Sequence, residues 1–226
     1  MKEKVNQICD EIKENLYYFQ DLGIEDFVIE PPNSSREFSK EKIFSSLAQE
    51  IKQCRDCPLA ESRKNAVPGE GNINADLMFV GEGPGREEDI QGRPFVGKAG
   101  QLLTRIIKAM KFERENVYIT NVVKCRPPEN RNPKNNEIEK CKKYLFKQIE
   151  LISPKVIVTL GNVPTQFFLN KKEGITSLRG KFYSYKNIRI MPTFHPSYLV
   201  RNEEDKGLKR LVWEDMQKVM AVLGKK

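Results

Sequence analysis

Asp76-Leu77-Met78-Phe79-Val80-Gly81 is unbroken by polar residues after its first position and leads straight into Glu82-Gly83-Pro84-Gly85. A run of that length without polar alternation predicts a strand buried on both faces. The glycine-rich loop leads on to a helix with Ala99, Leu102, Leu103, Ile106, Ile107 and Met110 on one side. The same order recurs downstream. Val117 to Val123 reads as a strand before a helix marked by Ile138, Cys141, Leu145 and Ile149, and Lys155 to Leu160 as a strand before Val163 to Leu169. Phe182 to Tyr185 and Ile188 to Met191 predict a hairpin or two short strands, and Leu208, Leu211, Val212, Met216, Val219 and Leu223 a closing helix. Strands alternating with helices predict an α/β domain, a three-layer sandwich with a short central, largely parallel sheet. Ligands in such folds bind beyond the carboxyl ends of the strands, which directs attention to the loops after Val80, Val123, Leu160 and Met191.

Upstream, Val5, Ile8, Cys9, Ile12, Leu16 and Phe19 recur at helical spacing, so residues 3–20 predict an amphipathic helix with Cys9 as a small buried hydrophobe. A stretch with Pro31, Pro32, Asn33, Ser34 and Ser35 reads as a linker. Ile43, Phe44, Leu47, Ala48 and Ile51 then mark a helix that runs into Cys54. The expected division is residues 1–39 as a helical extension and 40–226 as the functional domain. The extension is a candidate docking segment for a protein partner.

The 226 residues are 38% hydrophobic, and no apolar run approaches the roughly 20 residues of a membrane span. No apolar signal stretch opens the chain, so a cytoplasmic location with no membrane role is expected, and the chain is expected to be a monomer. A formal net charge of +8 favours a polyanionic partner such as nucleic acid.

Four of the five cysteines form a suggestive set. Cys54-Arg55-Asp56-Cys57 is a close pair, Cys125 follows the second strand, and Cys141 lies on the helix beyond it. In a reducing compartment these are core residues, metal ligands or thiols rather than disulfides. Four thiols with one close pair suit a tetrahedral metal or a cubane cluster, and spacing alone does not separate zinc from iron–sulfur. A redox C-x-x-C pair would open a helix after a strand, whereas this one follows a helix.

The loop Gly81 to Gly100 has G-x-G-x-G spacing, and no acidic residue falls between Ile90 and Phe112 to hold a ribose, which argues against a dinucleotide site. Phe95, in a polar Gly/Pro setting, suits either a core plug or a ring stacked on a base.

Gly81 to Gly100, Asn121-Val122-Val123-Lys124-Cys125-Arg126-Pro127-Pro128 and His195-Pro196-Ser197, with the four cysteines in order, resemble the motifs of the family 4 uracil-DNA glycosylases. That resemblance spans about Ser46 to Leu223. It implies a uracil-DNA glycosylase-like fold, a 4Fe-4S cluster on Cys54, Cys57, Cys125 and Cys141, and hydrolytic removal of uracil from DNA. It implies Glu82, Gly83, Pro84, Glu88, Phe95, Asn121 and His195 around the uracil, with His195, Asn121, Glu82 and Gly83 as the catalytic set. Glu88 would lie near uracil C5. An aspartate of the better-known family 1 enzymes aligns with Gly83, so the water-positioning group is open between Glu82, backbone groups and substrate phosphates. Lys98, Lys124, Arg126, Arg131, Ser197 and Arg201 would contact DNA, and Leu199 would wedge into the base stack. A catalytically silent DNA-binding module of the same fold and cluster is the alternative.

Overall fold

The computed structural model describes residues 39–225, so the helix expected over residues 3–20 and the linker after it lie outside the described residues. Helix α1 (Lys40–Gln53) and a short α2 (Leu59–Ser62) precede strands β1 (Glu70–Gly71) and β2 (Leu77–Gly81). Next come α3 (Arg86–Gln91), α4 (Lys98–Ala109), β3 (Tyr118–Asn121), α5 (Asn135–Ile152) and β4 (Val156–Leu160). The chain continues through α6 (Asn162–Leu169), α7 (Ile175–Leu178), β5 (Tyr183–Tyr185), β6 (Ile188–Thr193), α8 (Pro196–Arg201) and α9 (Lys206–Val222).

The six described strands form one sheet in the order β1-β3-β2-β4-β6-β5. Its four central strands are parallel, and the edge strands β1 and β5 each pair antiparallel with their neighbour. The expected three-layer α/β architecture is what the chain adopts. The two-residue β1 and the short helices α3 and α8 fall where the sequence reads as loop, because segments of two to six residues carry too few turns for periodicity to register.

Both faces of the sheet are covered, which explains the unbroken apolar strands. Met78, Val80, Tyr118, Ile157 and Ile190 pack with Leu47 and Ile51 of α1, Leu145 and Ile149 of α5 and Phe168 of α6. Leu77, Phe79, Ile119, Val158 and Met191 pack on the other side with Leu103 and Ile107 of α4 and Val212 and Met216 of α9. Successive residues of β2 therefore serve opposite layers, the period-two alternation of a pleated strand.

Register places the working edge. Gly81 lies opposite Asn121, and Leu160 opposite Thr193, so the four parallel strands end level with one another. The loops that follow all emerge on the same side.

Leu199 belongs to the second core layer, only 2% exposed, beside Phe194, Leu103 and Val212. This corrects the expectation that it wedges into DNA. On the short α8 its position faces inward, and the exposed apolar side chain next to it is Tyr198. Leu199→Ala should therefore lower folding stability by about 2–5 kcal/mol in urea unfolding, as large-to-small core changes do. A loss below about 1 kcal/mol would place Leu199 outside the core.

Candidate active site

A cavity of about 640 Å³ opens at the level strand ends, lined from the loops after β2, β3, β4 and β6. Glu82, Gly83, Pro84, Glu88, Phe95, Asn121 and His195 all line it, as do Arg131, Ser197 and Arg201. It is thus the meeting place of residues that lie more than a hundred positions apart in sequence.

Asn121 ends β3 and is 1% exposed. Its side-chain Oδ1 is buried without a hydrogen-bond partner. An unmet buried acceptor costs about 1–3 kcal/mol, so folding keeps this one in reserve for a donor. Gly81 makes the position accessible. A Cβ there would stand 2.4 Å from Asn121 Oδ1 and 2.6 Å from Phe95 Cζ, so only glycine lets the amide and the ring approach the strand end together.

The loops after β2 and β3 are zipped by main-chain bonds, Val122 N–H to Gly81 O at 2.9 Å and Val123 N–H to Glu82 O at 3.1 Å. At Gly83 a Cβ would stand 2.8 Å from Val123 Cγ2, so an aspartate in this place would require the Val123 side chain to shift. Glu82 is half-buried, and burial alone holds its carboxyl above the usual carboxylate range.

Glu88, partly exposed at the cavity, is held by main-chain amides. One carboxylate oxygen accepts from Val96 N–H at 2.9 Å and Gly97 N–H at 3.0 Å, and the other from Gly85 N–H at 3.1 Å. It fastens the entry of α3 to the entry of α4. Phe95 lies between these points with φ of 51°, a backbone region uncommon for a non-glycine residue. Its buried ring faces His195 at 5.7 Å between centroids and 32° between planes.

His195 follows β6 and caps α8. Its Nδ1 accepts from Ser197 N–H at 3.1 Å and lies 2.7 Å from Ser197 Oγ. A backbone amide can only donate, so Nδ1 carries no proton and the neutral ring holds its proton on Nε2. Burial, helped by the Arg201 cation and partly offset by Glu88, pulls the pKa down to about 4. Ser197, expected to contact DNA, is here the group that fixes the tautomer.

Two further DNA-contact expectations are corrected. Lys124 is 1% exposed, and its ammonium donates to Thr120 Oγ1, Asn121 O and Gln148 Oε1 at 2.6–2.8 Å, so it cannot grip a phosphate. Arg131 forms a two-pronged pair with the buried Glu137 and is committed there, although it borders the cavity. Lys98 stands exposed at the start of α4, Arg126 holds Asn130, and Arg201 is exposed at the rim. Asn162, Thr176 and Tyr198 also line the cavity and were not singled out from the sequence. The rule of strand ends pointed to the loop after Leu160, but nothing in Gly161-Asn162 marks one residue over another.

The four cysteines meet in a second, smaller cavity with Arg63, Lys124 and Tyr144. None of the four is joined in a disulfide. Arg63 donates to Cys125 Sγ at 2.8 Å, and Lys124 N–H to Cys141 Sγ at 3.3 Å. Arg63 also holds the carbonyls of Lys52 and Cys54, tying the close pair to Cys125. Burial pushes the Cys57 and Cys125 thiols up, and Cys141 to about 12. Among the described residues no group of three or more His, Cys, Asp or Glu side chains is arranged to hold a metal ion.

The histidine yields a direct test. It is the single histidine of the chain, so its ring signals in NMR are unambiguous. They should titrate near pH 4, well below the free-histidine value of about 6.5. Between those values the unfolded chain binds the proton and the folded one does not, so stability should fall as pH drops from about 6.5 towards 4. Titration near 6.5 with flat stability would refute the depressed pKa.

Comparison with known proteins places this geometry. The family model for the uracil DNA glycosylase superfamily matches residues 68–217. A type-4 uracil-DNA glycosylase of Thermotoga maritima is 46% identical over 190 residues, covering 83% of this chain and 98% of that protein. One of Saccharolobus solfataricus is 46% identical, covering 80% and 86%, and one of Archaeoglobus fulgidus 42%, covering 80% and 93%. A type-5 uracil-DNA glycosylase of Pyrobaculum aerophilum is more distant, at 31% over 59% of this chain. The chain belongs to the uracil-DNA glycosylase superfamily and, within it, to the type-4 uracil-DNA glycosylases.

Proposed function

We propose that the protein removes uracil from DNA by hydrolysing the N-glycosidic bond, leaving an abasic site. The observation that carries this reading is the buried, unpartnered Oδ1 of Asn121 in a cavity that also holds a neutral histidine. Uracil offers an N3–H donor beside the O4 acceptor, the pattern one amide can meet with its oxygen and its NH2. Cytosine offers the reverse and would leave Oδ1 facing a lone pair, so it is rejected by hydrogen bonding rather than by size.

A base in duplex DNA reaches such a cavity only when turned out of the stack. The Phe95 ring then offers a flat apolar face to it. Bond cleavage leaves negative charge on uracil O2, and the Nε2–H of His195 supplies a donor there without a proton transfer. Glu82 is assigned the attacking water, since Glu88 has both oxygens committed to loop amides. Lys98, Arg126 and Arg201 are assigned to phosphates, and Tyr198, 40% exposed on the rim, to the gap left in the stack.

Cys54, Cys57, Cys125 and Cys141 are read as holding a 4Fe-4S cluster. The donor set is sulfur only, in a cavity where Cys125 Sγ accepts from Arg63 and Cys141 Sγ from the Lys124 main-chain N–H, and four deprotonated cysteines there would suit a soft metal centre. Such a group supplies cross-links, joining the Cys54 loop, the end of β3 and α5. The described residues lining the active cavity run from Glu82 to Arg201. Residues 1–39 are read as an extension open to a protein partner, on a chain that works as a cytoplasmic monomer.

The test uses protein purified without oxygen. Iron and acid-labile sulfide should be present in equal amounts, and a zinc-loaded, colourless protein would refute the cluster. An oligonucleotide carrying one uracil should break after alkali at that base, while a thymine control stays intact. His195→Ala should lower the excision rate by about 10²–10³-fold, the usual effect of removing a donor to developing charge. Asn121→Ala should also slow uracil removal strongly. Full-length rates in both variants, with DNA bound, would favour a silent DNA-binding module instead.

A further inference from the structure

Three segments close on the last two residues of β6. Gly180 N–H donates to Pro192 O at 3.1 Å, and Gly161 N–H to Thr193 O at 2.9 Å. The Thr193 hydroxyl donates to Asp215 Oδ2 of α9 at 2.7 Å, and both residues are buried. Arg179, which follows α7, grips the same carboxylate with a two-pronged guanidinium, Nε to Oδ2 at 3.0 Å and Nη2 to Oδ1, and also donates to Leu211 O. The guanidinium lies over the Phe194 ring, 5.5 Å from its centroid. Gly180 turns beside the pair with φ of 74°, and a Cβ on it would stand 2.7 Å from Asp215 Oδ1, so glycine lets the chain fold down onto the carboxylate. A buried ion pair gives little net stability over apolar side chains of the same size. What it gives here is direction, since a two-pronged pair fixes angle as well as distance. The strand end that it holds carries His195 two residues on, packed so closely on Gly161 that a Cβ there would stand 3.2 Å from His195 Cβ.

We propose that Arg179 and Asp215 are positioning residues for uracil excision, their buried pair acting through the Thr193 hydroxyl to fix the end of β6 and with it the place of the His195 ring. The proposal rests on the glycosylase reading above, in which His195 meets the charge developing on the base. Neither Arg179 nor Asp215 lines the uracil cavity. The contacts of His195 with Ser197 set its tautomer, but they lie within one turn of chain. They do not set where that turn stands relative to Asn121, whose strand β3 is separated from β6 by β2 and β4. The pair supplies that reference by tying the start of the turn to α9 and to the segment after α7. Base recognition on β3 and charge stabilisation on β6 thereby keep a fixed spacing. A donor aimed at developing charge works over hydrogen-bond distances only, so a small displacement of His195 is felt in the rate.

Thr193→Val removes the hydroxyl at nearly constant shape, and Thr193→Ser keeps it. Single-turnover excision, affinity for abasic-site DNA and the His195 ring signals in NMR are compared with the wild-type protein. Those signals feel the Phe95 ring 5.7 Å away and so report where the histidine stands. Thr193→Val should slow excision by about 10–100-fold, the scale of a misplacement of up to an ångström, with product affinity unchanged and the His195 signals moved. Thr193→Ser should return both rate and signals close to wild type. A wild-type rate in Thr193→Val, or a slow rate with unmoved His195 signals, overturns the proposal, and so does a Thr193→Ser protein as slow as Thr193→Val. If Thr193→Val fails to fold cooperatively, Arg179→Lys keeps the charge and loses the two-pronged grip. It should slow excision and move the His195 signals in the same way, and a folded Arg179→Lys protein with wild-type values overturns the proposal as well. Wild-type protein that removes no uracil would refute the glycosylase reading, while the His195 signals of the variants would still decide whether the pair holds the histidine.

Discussion

The site depends on how closely the end of β2 approaches the end of β3. Gly81 lies opposite Asn121 in register, and the space a Cβ would fill is taken by the Asn121 amide and the edge of the Phe95 ring. Any other residue at position 81 would have to move one of them. The parallel pairing of the four central strands carries this local fit into a common edge, so that β4 and β6 deliver Gly161 and His195 to the same cavity. The apolar content of the strands sets their burial. The level edge then follows from register, since a shift by one residue would turn each strand's side chains to the wrong layer.

Around that edge, charged groups are spent on main chain rather than on substrate. Glu88 ties three amides of the loops that open α3 and α4. Asp89 accepts from Lys64 and Asn65 N–H, and Arg114 reaches Pro94 O while pairing with Glu70. Glu137 binds Arg131 and the Lys134 amide. Each is a charge-assisted bond to a segment with no regular structure, stronger than a neutral one and well suited to fixing a loop. The segment that carries Phe95 in its left-handed conformation is therefore held from several sides, which is what an unfavourable backbone angle requires to persist.

The sequence made the fold legible where segments were long. Five of the six strands and the longer described helices follow from apolar runs and periodicity, and the working loops from the rule of strand ends. Residue identity at the cavity was legible where the chemistry is local, as in Glu82, Asn121 and His195. It failed where tertiary packing decides which way a side chain faces. Lys124 and Leu199 sit in motifs rich in functional residues, and sequence position says nothing about a lysine being drawn inward by Gln148 or a leucine by Leu103 and Val212. Arg131 fails for a related reason, since its partner Glu137 is separated from it by a turn that only the folded chain closes. Tyr198 escaped notice because an exposed aromatic ring looks no different from a buried one in a short helix.

Specificity and rate draw on the same reserve. The orphan Oδ1 of Asn121 and the neutral, tautomer-fixed ring of His195 are both unfavourable in the empty protein, one as an unmet acceptor and one as a desolvated base. Folding covers that cost through the two apolar layers that bury the sheet. In the proposed reading, a base with the right donor pattern relieves the first, and charge developing on its carbonyl engages the second. Because the His195 ring need not reorganise as the bond breaks, its interaction would strengthen toward the transition state, while Asn121 selects the base on binding. A base that cannot satisfy Oδ1 leaves the reserve unspent and gains nothing by entering.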